Sequence, residues 1–491
     1  MKMKTWRKHH KWIGLAVSFF LVMFCVSGIV LNHRNLVHDW NVNRGLLPPS
    51  YRFENWDKGF LRSTLPCRMD GERKVLMYGY EGCWLTDSTA KSFGDFNRGL
   101  PNGCDLRSLR AVVQMPDGRI WAAGQFGCYV RKGSMNGAWA EVELPLSDGE
   151  RISDLYARGD TLLVVGRSFL YRALPPYNRF VRLELKAPTG YDGKVSLFRT
   201  VWLLHSGELF GGAGRAVLDL TALVLVFLCI SGWFYLLLPR HVVWRRRFFF
   251  WHDKVGVKTI LLTVFIAFSG WCLRPPVLIA LVKGRLPAIP GTSLYSHNPW
   301  HDNLRMLRYD ERSGEWLLST SEGFYKLLSL QAVPEKITPA PPVSVMGLNV
   351  WEKDADGNWL VGSFSGMFRW NPRSGIITDY FTGKPAEARP GPPFGARPVS
   401  GFTADFHHRP GVIEYENGGG FAEMPESFTT LPMSLWDFAL EVHSGRIYVY
   451  DNLASMVFIF FAGIVVVYTL WTGYRIRVKH TKRNRLQENR R

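Results

Sequence analysis

Nearly all the net positive charge of this 491-residue chain lies in three short stretches, each abutting a long apolar run. Residues 1–12 carry Lys2, Lys4, Arg7, Lys8 and Lys11 without an acid, and residues 239–258 carry Arg240, Arg245, Arg246, Arg247, Lys254 and Lys258 against Asp253. Residues 475–491 carry Arg475, Arg477, Lys479, Lys482, Arg483, Arg485, Arg490 and Arg491 against Glu488. These nineteen basic and two acidic residues account for +17 of the formal +19. Basic charge spread over a surface would suit nucleic acid. Basic charge gathered at the ends of apolar runs is instead the positive-inside pattern of a polytopic membrane protein. The partner it implies is the lipid bilayer, with no nucleic acid, and a soluble cytosolic enzyme is excluded.

Four segments are long enough to cross a hydrocarbon core of about 30 Å as helices. They run near Trp12 to Asn32, Val217 to Leu238, Val255 to Leu273 with a continuation past Pro276 to Val282, and Leu453 to Tyr474. With the basic stretches inside, both termini are expected in the cytoplasm and two large segments outside. The first run resembles a secretion signal, but only Asn32-His33-Arg34 follows it and no small-residue cleavage site does, so an uncleaved span is expected. The division read from sequence is 1–33, first transmembrane helix; 34–204, external β segment with blade-like repeats; 205–240, second helix; 241–282, basic loop and third helix; 283–442, second external β segment; and 443–491, fourth helix and basic tail. Cys25, Cys229 and Cys272 fall in the spans. Cys67, Cys83, Cys104 and Cys128 all fall in the first external segment, where an even number in an oxidising compartment predicts two disulfides.

The external segments repeat a unit of apolar strand, Gly turn and aromatic strand. Lys74–Gly79 leads to Gly82-Cys83-Trp84, Arg119–Gly124 to Gly127-Cys128-Tyr129, and Thr161–Gly166 to Phe169-Leu170-Tyr171. In the second segment Glu315–Leu318 leads to Gly323-Phe324-Tyr325, and Asn358–Gly362 to Gly366-Met367-Phe368, with Gly411 to Met424 a degenerate further copy. Starts lie 45, 42 and 43 residues apart, the period of a propeller blade. The fold class expected is therefore a membrane α-helical bundle of four internally duplicated spans plus an exported all-β domain. About three blades per segment would leave open edges, so two segments closing one β-propeller is the reading preferred to two separate β domains.

The chemistry lies in how the spans align. His10 precedes Gly14 by 4 residues and Ser27-Gly28 by 17, and His252 precedes Gly256 and Ser269-Gly270 by the same spacings. His205-Ser206-Gly207 precedes the second span and His443-Ser444-Gly445 the fourth, which end in Ser231-Gly232 and Thr472-Gly473. Seventeen helical residues rise roughly 25 Å. His10 and His252 thus lie at the inner depth with Ser231 and Thr472, and His205 and His443 at the outer depth with Ser27 and Ser269. Histidines at membrane boundaries often only meet headgroups, and small residues often only let helices pack. Two matched pairs at matched depths point instead to axial ligation of a flat macrocycle, with small residues where the porphyrin edge approaches backbone. Two haem b groups are expected, the inner on His10 and His252, the outer on His205 and His443. His33 is an alternative outer ligand whose counterpart is Pro275, and His9 adjoins His10. Arg34, Arg215, Arg274 and Arg446 lie near span ends, where an arginine suits a propionate or a lipid phosphate. His241, His297, His301, His407 and His408 follow no pattern and are expected at the surface.

His10-Lys11-Trp12-Ile13-Gly14, His205-Ser206-Gly207 and His252-Asp253-Lys254-Val255-Gly256 resemble the PepSY-associated transmembrane helix family, which includes bacterial inner-membrane ferric-siderophore reductases. The resemblance covers the four spans. It implies a di-haem b-type bundle in a bacterial inner membrane, passing electrons outward to a ferric siderophore or other iron chelate in the periplasm. Known members carry PepSY-type folds outside, whereas these segments read as propeller-like. Gly212-Ala213-Gly214 follows no strand and is no dinucleotide fingerprint, and no Walker or HExxH motif occurs. The cytoplasmic portions are too short for a flavin domain, so electrons are expected from a cytoplasmic or quinol donor. The competing reading is a propeller-type sensor or binding module on a membrane anchor, or a permease component.

Overall fold

The computed structural model describes residues 2–239, 241–386, 395–406, 410–449 and 452–488, with backbone alone for 452–453 and 479–488. It divides into two compact units: residues 1–37, 193–295 and 435–491 form one, residues 38–192 and 296–434 the other. Residues 193–204, 283–295 and 435–442, assigned from sequence to the β segments, thus belong with the helices.

In the helical unit, α1 (Met3–Asn32), α2 (Leu197–Ser206), α3 (Gly211–Leu237), α4 (Val243–Cys272), α5 (Leu435–Ser444) and α6 (Asn452–Glu488) carry the architecture. Four of these helices are long and apolar enough to cross a membrane. They bury few side chains against one another. Phe19 on α1, Leu220 on α3, Leu261 on α4 and Phe461 on α6 stay more than half exposed. An apolar outward face belongs in hydrocarbon rather than water. Helix α1 packs on α3 and α6, and α4 packs on the same two, so α1 faces α4 diagonally. Cys25, Ala222 and Leu225 form a small core between α1 and α3, and Trp233 Nε1 donates to Ser18 Oγ at 2.6 Å. The third span does not continue past Pro276: α4 stops at Cys272, and Val277–Lys283 is a separate short helix. Two consecutive prolines deny that stretch the amide donors a continuous helix needs.

Among the described residues the other unit holds a small two-stranded pair of Asn41–Val42 with Met433–Ser434 and six antiparallel sheets in series. Their first strands are Ser63–Met69, Leu109–Gln114, Ile152–Arg158, Leu304–Asp310, Leu348–Lys353 and Val399–Thr403. Five sheets have four strands, and the sixth pairs Val399–Thr403 with Gly411–Glu414. Five repeats seen in the sequence are the second and third strands of one sheet, and the degenerate copy from Gly411 supplies only the second strand of the sixth. The reason is burial on both faces. In Thr161–Gly166, Leu162 and Val164 pack toward the second sheet while Leu163 and Val165 pack toward the fourth. Alternate side chains point to opposite faces, so a strand covered on both sides reads as an unbroken apolar run. Hydrophobic clusters lie between sheets one and two, two and three, three and four, four and five, five and six, and six and one. The sixth sheet thus packs back on the first, through Phe406 and Ile413 against Val75, Met77 and Trp84.

The two predicted disulfides are absent: Cys67, Cys83, Cys104 and Cys128 are free, buried thiols. Cys67 and Cys83 sit on strands one and three of the first sheet with a strand between them. Two strand spacings come to about 10 Å, beyond the reach of a disulfide. Cys128 packs in the next cluster, and Cys104 lies in a one-turn helix with its thiol on the carbonyl of Pro432. Cys67, Cys83 and Cys128 fill small apolar niches, while the Cys104 thiol also meets the Arg107 guanidinium at 3.7 Å.

Candidate functional site

Helices α2 and α5 position two of the four histidines by the same device. Each is ten residues long, carries His at its penultimate position, and ends at a glycine with φ +81°, Gly207 or Gly445. A left-handed residue closes a helix with little strain only when it is glycine. A Cβ on Gly207 would also lie 2.4 Å from the carbonyl oxygen of Gly214. The chain then turns through a 3₁₀ segment into the span.

The four histidines meet in two pairs. His10 on α1 and His252 on α4 have ring centroids 6.1 Å apart with planes 73° apart. His205 and His443 are also 6.1 Å apart, with planes at 44°. Every Nδ1 is occupied. His10 Nδ1 lies 3.1 Å from the carbonyl of Thr469 and 3.2 Å from Thr472 Oγ1, and His252 Nδ1 lies 3.0 Å from Ser231 Oγ. His205 Nδ1 is 3.0 Å from Ser269 Oγ, and His443 Nδ1 is 2.9 Å from the carbonyl of Phe24 and 3.3 Å from Ser27 Oγ.

These partners favour one tautomer. Ser27, Ser231, Ser269 and Thr472 each donate their hydroxyl proton back to a carbonyl in their own helix. Their oxygens, like the carbonyls, then accept from the ring. The carbonyls at His10 and His443 require the proton on Nδ1 there, and the same assignment at His205 and His252 leaves a lone pair on each Nε2, which meets no partner among the described residues. That is the ligating form of histidine. Two metal–nitrogen bonds of about 2 Å plus half a ring on each side come to about 6 Å, so each pair has room for one metal centre between its rings. No group of three or more His, Cys, Asp or Glu side chains suited to a metal ion occurs among the described residues.

The glycines beside the hydroxyls stand against the imidazoles. A Cβ on Gly270 would meet His205 Cε1 at 2.8 Å, on Gly473 His10 Cε1 at 3.0 Å, on Gly28 His443 Cε1 at 3.1 Å, and on Gly232 His252 Cε1 at 3.8 Å. Gly270, Gly473 and Gly28 thus leave room for a neighbouring imidazole, while at Gly232 the contact would be ordinary. Gly14 and Gly256 face Thr469 and Leu228 on the neighbouring helices.

The remaining candidates scatter. His33 Nε2 pairs with Asp219 at 2.8 Å, which also accepts from Asn32, so His33 is engaged away from the pairs. His9 Nδ1 faces the Tyr468 hydroxyl at 2.7 Å. No spacing in the sequence pointed to Asp219 or Tyr468. Arg274 donates to the carbonyl of His443 at 3.2 Å, Arg34 lies over the Trp436 ring, Arg446 pairs with Glu441, and Arg215 is half-buried on α3. His241 and His297 are exposed and His301 half-buried, while His407 and His408 lie outside the described residues.

Four membrane-crossing helices, one histidine pair on two of them and a second pair on the short helices α2 and α5, in a chain that also folds an all-β unit, define a multi-pass membrane protein. The chain belongs to the family described as the PepSY-associated TM region, whose model matches residues 7–479. Two solved structures of the extracellular domain of a bacterial signalling protein from B. thetaiotaomicron, titled a hybrid two-component system in one and a one-component system in the other, are similar at TM-scores of 0.35 and 0.36 with 11% identity. Each alignment covers 73% of this chain and 32% of the other, so the chain spans about a third of their length. No curated protein matches.

Proposed function

We propose that this is a di-haem b-type electron-transfer protein of a bacterial inner membrane that reduces ferric chelates, siderophore or haem iron, in the periplasm. The observation that carries the reading is the pair of facing imidazole sets, each with Nδ1 anchored and Nε2 free. His10 and His252 would hold the inner haem, and His205 and His443 the outer. Bound haem supplies one-electron redox chemistry. The chain's part is to fix ring orientation through the four hydroxyls, to keep water out with apolar helices, and to offer Arg274 beside the outer pair to a propionate. Each outer histidine ends a ten-residue helix that begins within a few residues of a junction between the two units. Electrons would come from a cytoplasmic or quinol donor, and the β unit would hold the acceptor. The six sheets are read as the blades of one propeller, which the cluster between the sixth and first sheets supports. Reduction of iron(III) weakens its hold on hard oxygen ligands.

Protein from haem-replete cells is expected to show a Soret band that shifts with dithionite, and a colourless preparation would sink the reading. Anaerobically reduced protein should reoxidise on addition of at least one ferric chelate, with ferrous iron caught by an indicator. Changing His10 or His252 to Ala should remove or perturb the inner haem alone, and His205→Ala or His443→Ala the outer. Full haem content and unaltered spectra in all four variants would show the ligands to be other residues.

A further inference from the structure

The β unit contains a cavity of about 170 Å³ at the end of the sheets where first strands begin. It is lined by Arg62, Ser108, Asn349, Phe364, Ser400 and Tyr415, among others, from the first, second, fifth and sixth sheets. One water needs about 10–15 Å³ of such volume, so the cavity has room for a small organic acid.

This end is built by a repeated irregularity. The register slips by one residue at the start of five of the six first strands, at Arg110, Ser153, Arg305, Asn349 and Ser400. Such bulges re-aim a side chain without ending the strand. Two of the five displaced residues line the cavity, and two others are arginines. Arg305 extends over Gly347, two residues from Asn349.

Arg62 is the charged residue of the lining. Its guanidinium donates to Asn349 Oδ1 at 3.4 Å and to the carbonyl of Leu348 at 3.1 Å, both neutral, and joins no ion pair among the described residues. Burial pulls its pKa down, with Arg308 acting the same way against Tyr78 and Asp154. The nearby carboxylates are spoken for. Asp154 accepts from Arg308 and the Leu307 amide, Glu352 from Ser63, and Asp405 from Thr64. A half-buried guanidinium whose hydrogen-bond partners are neutral gains from an anion that completes it, and its planar fork matches a carboxylate. Phe364 and Tyr415, edge to face at 5.1 Å, supply an apolar wall.

We infer that this cavity binds a small carboxylate, free or as the exposed group of a metal chelate, with Arg62 as its anchor and Ser108, Asn349 and Ser400 on its walls. The site is independent of haem and of electron transfer. Calorimetry on the full-length, detergent-solubilised protein with citrate, ferric citrate, succinate and phosphate tests it without any redox readout. At least one carboxylate should bind. Arg62→Gln should weaken it at least about tenfold, the scale of a lost charged hydrogen bond, while Arg62→Lys retains part of the affinity. Asn349→Asp sets a carboxylate against the Arg62 guanidinium and should abolish binding; since it also loses the Asn349 Nδ2 donation to the Val399 carbonyl at 2.8 Å, an unchanged circular dichroism spectrum guards against a folding artefact. Binding of citrate only as its iron complex would identify the chelate as the source, and binding of free citrate or succinate the acid itself. Failure of every carboxylate to bind, binding of phosphate alone, or binding that both Arg62→Gln and Asn349→Asp leave intact would overturn the assignment.

Discussion

Four glycines test whether the histidine pairs are held as tightly as their hydrogen bonds imply. An alanine methyl at Gly270, Gly473 or Gly28 would meet an imidazole carbon at 2.8, 3.0 or 3.1 Å, while at Gly232 the contact of 3.8 Å is ordinary. Overpacking of this kind costs about 1–3 kcal/mol, and here the strain falls on the ring. Gly270→Ala, Gly473→Ala and Gly28→Ala should each alter the absorbance spectrum of one centre and lower the melting temperature. Gly232→Ala should leave both unchanged. Equal damage from all four would mean that these glycines serve helix crossing alone. The spacing of His, Ser and Gly exposed these positions because depth in a helix is a direct count of residues. The job of each glycine was hidden, since a count along one helix does not tell which ring on another helix stands opposite.

At the scale of elements, legibility followed burial. A strand covered on both faces, such as Leu162 to Val165, writes an apolar run and is visible in sequence. The outermost strands, such as Gly94–Asp95 and Glu335–Lys336, are two exposed residues each and write nothing. Helices α2 and α5 were likewise missed, because ten amphipathic residues ahead of a span blend into the segment before it. The cysteines failed for a related reason: their number and compartment suggested pairing, but position within the sheets decides it. Burial pushes the thiols up, Cys67 to about 11, Cys104 and Cys128 to about 12, and Cys83 further still. Since the thiolate is the reactive form, alkylation of these four should be slow in the native protein and complete in denaturant without reductant. Dithiothreitol should leave the melting temperature unchanged. A drop of several degrees, or thiols that appear only after reduction, would restore the disulfides.

Across the whole chain, the duplication makes each half incomplete. Residues 1–240 supply α1, α2, α3 and the first three sheets, and residues 241–491 supply α4, α5, α6 and the other three. Each histidine pair takes one member from each half, His10 with His252 and His205 with His443. Each Nδ1 anchor also comes from the opposite half: Thr472 for His10, Ser231 for His252, Ser269 for His205 and Ser27 for His443. In the β unit, the clusters joining sheets three and four and sheets six and one both cross the divide. Either half alone would expose two apolar sheet faces and leave two histidines without their partners or their anchors. Expressed separately, neither should accumulate with bound haem. Co-expressed as 1–240 and 241–491, they should co-purify, because the cut falls in the basic loop between α3 and α4, and the haem content should approach that of the intact chain. Haem bound at full content by one half alone would show that a pair can form within a half, and the cross-half assignment of all four ligands would have to be abandoned.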